Sequence, residues 1–263
     1  MIVYAAIVPH ATALLIESPE RAEQFPTVGP AITLIAQHLY ARQPDTLVFV
    51  SSHKAQAHQS CTIDHMPLPV MHMETQTGYE RAELFPPDIE TSAILRAASE
   101  SSGEFMYANT DALDESVLVS LALLSKHLPK TRALSITTAH RDLRFHFTVG
   151  TLLEDVLTML PARYAVLATG DLAQVPNLDA SAHRARLNAL QFDREFLHAV
   201  TDQRYDEALE LGRARRKSVT QCLLDPAAVL FGALWSHRAT PELLGYESPT
   251  GTGVAVVEFA FGV

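Results

Sequence analysis

The strongest constraint in this 263-residue sequence is an alternation of two periodicities. Short apolar runs rich in β-branched residues occur at 1–8, 46–52, 133–138, 164–169 and 254–261. They are apolar almost throughout, which is the pattern of strands covered on both faces of a sheet. Between them lie longer segments with apolar residues three and four apart, the spacing of a helix face. Residues 30–42 are one such segment, with Ile32, Ile35, Leu39 and Tyr40. Residues 89–99, 117–127, 141–159, 181–200 and 218–235 read the same way. Strand and helix in turn predict a single layered α/β domain over 1–263, with a central mostly parallel or mixed sheet and helices on both faces. The chain is long enough to bury a full core. Residues 60–87, rich in Pro, Met and His, show no clear period and are expected to form an irregular excursion, with room for edge strands.

Several function classes fall away at this level. No apolar run approaches the roughly 20 residues that a membrane helix needs. The start, MIVYAAIVPH, lacks the basic region and long apolar core of a leader and reads as a strand. A net charge of −10 argues against general nucleic-acid binding. The one basic cluster, Arg213, Arg215, Arg216 and Lys217, follows Asp206, Glu207 and Glu210 and reads as a solvated face. Cys61 and Cys222 are the only cysteines and lie far apart, so a disulfide framework is not expected and a reducing cytoplasm is.

Two histidines stand out by position. His10 ends the run IVYAAIVPH, and His53 ends TLVFVSSH. In α/β sheets, ligands bind beyond the carboxyl ends of strands, where loops converge on a crevice. Neutral imidazole there is a common ligand for iron, zinc or copper. Position alone leaves a structural role equally open, and no HxxxH or CxxC spacing decides the matter. Three more stretches read as strand-end loops. GYESPTGTG (245–253) carries Glu247, LATGDLAQ (167–174) carries Gly170 and Asp171, and ALDES (112–116) precedes a helix. Taken singly, each carboxylate, Asp114 included, reads as a helix cap or a surface group.

The order of these motifs is more specific than any one of them. IVPH, SSH, TGDLA, FDREFLHAV and YESPTGTGVAVVEF follow one another along nearly the whole chain, roughly residues 1–261. This order resembles the class III extradiol ring-cleavage dioxygenase superfamily, and more closely its small single-domain Memo-like members, the AmmeMemoRadiSam system protein B group. The resemblance implies one ferrous ion held by His10, His53 and Glu247, with coordination positions left open for a small catecholic substrate and dioxygen. In some Memo-like members a cysteine lies in the helix before the last loop, and Cys222 matches it. The ligands would then be His10, His53 and Cys222. Read by itself, Cys222 is a small buried hydrophobe. The resemblance also makes a homodimer, or pairing with a small partner subunit, a natural expectation.

Two positions depart from the family. Gln174 stands where active relatives carry a histidine at the end of the GDLS-type motif. Glu115 stands where many carry the histidine of LDH. Both are catalytic positions by resemblance, yet glutamine cannot titrate near neutral pH. It cannot supply general acid–base catalysis, typically worth about 10²–10⁴-fold. Glu115 could serve as a further ligand or a replacement base. His183, His58, His65 and His72 are the other histidines near these loops. Three readings follow: an iron-dependent ring-cleaving dioxygenase, a non-catalytic metal- or partner-binding protein, and a zinc hydrolase built on His10, His53 and Glu115.

Overall fold

The computed structural model describes residues 1–16, 18–53, 58–64, 66–74, 78–108, 114–125, 128, 131–175, 183–215 and 219–261, with backbone alone over 69–83. In chain order they form β1 (Ile2–Val8), a short 3-10 turn (Thr12–Leu15), α1 (Pro19–Gln24), α2 (Val28–Arg42) and β2 (Thr46–Ser51). Next come β3 (Cys61–Asp64), β4 (Leu68–Glu74), β5 (Gly78–Phe85), α3 (Ile89–Ala98), β6 (Phe105–Tyr107), α4 (Glu115–Leu124) and β7 (Arg132–Thr137). The remainder is α5 (Leu143–Met159), β8 (Tyr164–Thr169), α6 (His183–Thr201), α7 (Tyr205–Arg215), α8 (Leu224–Ala233), β9 (Ala239–Glu247) and β10 (Val254–Phe261).

Eight strands make one mixed sheet in the order β6-β3-β7-β2-β8-β1-β10-β9. Its centre, β7-β2-β8-β1, is parallel, and all four strands come from the β-branched runs. Successive side chains of a strand point to opposite faces, and both faces here are dry. Val48 and Val50 of β2 and Val166 and Ala168 of β8 face a core with Val149, Leu153, Phe192 and Phe231 from α5, α6 and α8. Leu47 and Phe49, with Ala165 and Leu167, face a second core with Ile35 and Leu39 of α2 and Leu121 of α4. Each Val, Leu, Ile or Phe side chain among them, fully buried, contributes roughly 1.5–3 kcal/mol. Because β1, β8 and β2 are parallel neighbours, their carboxyl ends lie side by side, and the segments that follow them start from one edge.

The excursion at 60–87 resolves into three strands. β3 joins the main sheet, antiparallel to β7, while β4 and β5 form a separate antiparallel hairpin. β9 pairs antiparallel with β10 at the other edge. Its burial alternates only in part, as befits an edge strand, and it carries no continuous apolar run.

The helix expected at 218–235 needs correction. It begins at Leu224, and the segment ahead of it is irregular, with Thr220 bridged to Gln174. Asp225 and Pro226 fall in its first turn, where proline's missing N–H is no loss. Cys222 therefore precedes the helix. Among the described residues, no helix is long and apolar enough to cross a membrane.

Candidate metal centre

His10 follows β1 by two residues and is nearly fully buried. Its backbone N–H donates to Asp171 Oδ1 at 3.2 Å. Its ring meets the His53 ring edge-on, with centroids 4.3 Å apart and an interplanar angle of 78°. His53 follows β2 by two residues and is exposed. Cys222 arrives from the irregular segment before α8, with Sγ 3.9 Å from His10 Nε2. One ligand atom from each of His10, His53 and Cys222 lies within 4.8 Å of the others. It is a compact triad drawn from three distant parts of the chain.

The Cys222 segment reaches this edge because Gly170 lets it. A Cβ at position 170 would stand 2.6 Å from the Leu223 Cα and 3.0 Å from the Cys222 carbonyl oxygen. Without one, the turn after β8 docks directly on residues 222–223. Asp171 N–H donates to Cys222 Sγ at 3.2 Å, and Cys222 N–H returns to the Asp171 carbonyl at 3.2 Å. Ser52 Oγ donates to the Cys222 carbonyl at 2.7 Å, tying the same segment to the end of β2.

A hydroxyl network braces the other corner. Asp114 caps α4, its Oδ1 accepting from Ser116 N–H at 2.9 Å and Ser116 Oγ at 2.6 Å. Ser116 Oγ shares a 2.6 Å hydrogen bond with Ser51 Oγ, and Ser51 Oγ accepts from His53 N–H at 3.2 Å. Ser120 of α4 bonds Thr169 Oγ1 at 2.6 Å and the Pro9 carbonyl at 3.2 Å. One helix thus holds the ends of β1, β2 and β8 together. The sequence reading missed Ser51, Ser116, Ser120 and Thr169. The available signal was that a hydroxyl residue closes the apolar runs of β2 and β8.

The electrostatics suit a cation. Burial, and then the neighbouring His53 ring, lower His10 to about 4, although Asp114 opposes the shift. The imidazole is therefore neutral at pH 7, as a metal ligand must be. Burial raises the Cys222 thiol to about 12, and Asp171 and Asp114 add to the rise. A coordinated cation would reverse that balance, since a coordinating thiol loses its proton. Burial pushes the Asp171 carboxyl up to about 7, against the His10 N–H it accepts. His10 Nδ1 and Asp114 Oδ2 are buried without a hydrogen-bond partner among the described residues. The donor set and these two unsatisfied atoms fit a bound cation.

The remaining candidates lie elsewhere or do other work. Glu247 stands outside the triad. Its Oε1 accepts from Thr27 N–H at 2.7 Å and from the Thr27 hydroxyl, and Oε2 accepts from Val28 N–H at 3.0 Å. It caps α2, whose free N–H groups and dipole favour a carboxylate. Glu115 is the exposed first residue of α4, and the acid turned toward the site is its neighbour Asp114. Gln174 does approach, with Nε2 3.9 Å from Cys222 Sγ, and its backbone N–H donates to Thr220 O at 2.8 Å. His183 is an exposed residue at the start of α6. His65 lies outside the described residues, as does the side chain of His72. His58 is half-buried, its carbonyl accepting from His140 N–H.

Comparison with known proteins agrees with the architecture. The model of the LigB family, described as the catalytic LigB subunit of aromatic ring-opening dioxygenase, matches residues 4–257. The chain belongs to that family. Among solved structures it is similar to an uncharacterized protein, JW3007 from Escherichia coli K12, with a TM-score of 0.61. That similarity covers 98% of this chain and 99% of the other at 12% identity, so it speaks for the fold alone. No curated protein matches the chain.

Proposed function

We propose that this protein is a metal-dependent member of its family in which His10, His53 and Cys222 hold one ion, with zinc the ion that the ligands favour. The observation that carries this reading is the triad itself, whose ligand atoms fall within 4.8 Å of one another. A set of two imidazoles and a thiolate is softer than two imidazoles and a carboxylate, and thiolate favours zinc or copper over ferrous iron. Three protein ligands with a fourth position open is the pattern of catalytic zinc. Bound there, the ion would supply Lewis-acid polarisation of a substrate oxygen.

The chain's own residues set the geometry. Asp171 Oδ1 receives the His10 N–H, and its Oδ2 lies 3.7 Å from His10 Nε2, so one carboxylate orients the histidine while its backbone grips Cys222. Gln174, at the edge of the site, offers an amide that donates and accepts without titrating. Glu115 is exposed on α4 and is not among the three residues whose ligand atoms cluster.

Metal analysis of the purified protein tests the centre. About one equivalent of zinc per chain is expected, lost in His10→Ala, His53→Ala and Cys222→Ala. Full retention in Cys222→Ala would overturn the thiolate assignment. The family match favours a second reading, oxygen-dependent opening of an aromatic ring. It predicts oxygen uptake with a catechol by ferrous-loaded protein. Fully loaded protein without uptake on any catechol would remove it.

A further inference from the structure

Next to the triad is a cavity of about 260 Å³ lined by Ser52, Val219, Thr220, Gln221, Cys222 and Asp225. It shares Cys222 with the triad, and Ser52 adjoins His53, so a molecule bound at the open position would extend into it. An apolar cavity of about 150 Å³ is enough to take a benzene ring, so the space has room for a substituent of up to that size. Asp225 is the one charged residue among those lining it.

Asp225 is held from behind. His146 of α5 is completely buried, and its Nδ1 lies 3.5 Å from Asp225 Oδ1. Its other ring nitrogen, Nε2, lies 3.2 Å from the Ala139 carbonyl. The two helices approach closely enough for this contact because Gly150 faces α8, where a Cβ would stand 2.0 Å from the Val229 carbonyl oxygen. A carboxylate set against a buried ring between two packed helices is placed in advance for recognition. Asp114, whose Oδ2 is buried without a hydrogen-bond partner among the described residues, is close enough to act on Cys222 and adds negative potential. Clefts lined by charge of one sign concentrate ligands of the other.

We propose that this cavity receives the part of the substrate that does not touch the metal, and that Asp225 selects there for a positively charged, amine-bearing group. The proposal rests on the metal-centre reading above and names the substrate class of the same site: a small metal-chelating molecule with a cationic arm. Neutral arms bind less well, and anionic arms are repelled. The competing role for Asp225 is structural, as an acidic residue in the first turn of α8 that ties α8 to α5.

Three hydroxamates that share a chelating head separate these roles: glycine hydroxamate (cationic arm), acetohydroxamate (neutral) and succinyl monohydroxamate (anionic). Calorimetry on zinc-loaded protein is expected to rank them cationic, neutral, anionic. The first step should be roughly tenfold or more, as for one charge-assisted hydrogen bond. Asp225→Asn should abolish the cationic preference while metal content stays at one equivalent, and Asp225→Glu should keep it. A merely structural Asp225 would change the melting temperature and leave the ranking intact. Zinc-loaded wild type without the ranking, or Asp225→Asn that retains it, overturns this proposal and leaves the centre standing. Wild type that takes up no zinc overturns both. Where Asp225→Asn does not fold, Thr220→Lys, which sets a cation into the same cavity, should cancel the cationic preference, and an unchanged ranking there overturns the proposal.

Discussion

The irregular segment 219–223 and the last residue of β9 each offer a third ligand beside His10 and His53, and they end in different work. Cys222 is pressed against the turn after β8, with its sulfur accepting the Asp171 N–H and lying 3.9 Å from His10 Nε2. Glu247 turns to α2 and takes the N–H groups of Thr27 and Val28. One faces the carboxyl edge of the parallel strands and the other the open end of a helix. Candidate ligands are thus separated by what competes for them. A carboxylate beside free N–H groups is already satisfied, whereas the half-buried thiol stands beside two imidazoles.

The largest effect expected from this difference is in metal content. Cys222→Ala should lose the ion, whereas Glu247→Ala should keep it, as read by elemental analysis of both variants. Loss of metal in the second alone would invert the comparison.

Gly170→Ala should follow in size. The added methyl meets the backbone of residues 222–223, so the segment must withdraw. A cost of about 1–3 kcal/mol is expected, as for overpacking elsewhere. Metal affinity should fall with it, measured by chelator competition. Unchanged affinity would show that the docking of this turn does not set the position of Cys222.

Glu247→Ala should cost about 1–2 kcal/mol of stability in denaturant unfolding, the range for losing a helix cap with charged hydrogen bonds. A neutral result would mean that water replaces the carboxylate at the start of α2.

The smallest effect is a pH slope at Asp193, which ties the segment after β8 to β9. Its Oδ1 accepts from Ala173 N–H at 2.9 Å, and its Oδ2 accepts from the Tyr246 hydroxyl at 2.8 Å. Burial raises its carboxyl from 3.8 to about 6, against both hydrogen bonds. The folded state therefore holds this proton more tightly than the unfolded state does. This group's contribution is greatest when it is protonated, and it is lost as pH rises from about 4 through 6. The melting temperature of the wild type, relative to Asp193→Asn, should rise as pH falls across that window. A flat difference would remove Asp193 as a titrating clasp.

Much of this arrangement was legible in local sequence. Continuous β-branched runs mark buried parallel strands because both of their faces need apolar cover. A polar residue just past such a run must emerge at the sheet edge, which is why His10 and His53 could be named. The site's supporting groups were harder to see. His146 sits on the buried stripe of α5 with Val149, Gly150 and Leu153, and its partner Asp225 lies 79 positions later, on α8. Nothing local pairs them.

What the sequence by itself determined, then, was the layered α/β pattern and the two histidines at strand ends, because periodicity and strand termination are short-range properties. Tertiary structure alone decided that Cys222 joins them while Glu247 caps α2, and that α8 starts late enough to leave Cys222 on an irregular segment. Those outcomes depend on contacts between segments 51 to 220 residues apart, such as Asp171 with Cys222 and Thr27 with Glu247. Close approach of backbones at Gly170 selects between them, and no single segment encodes that approach.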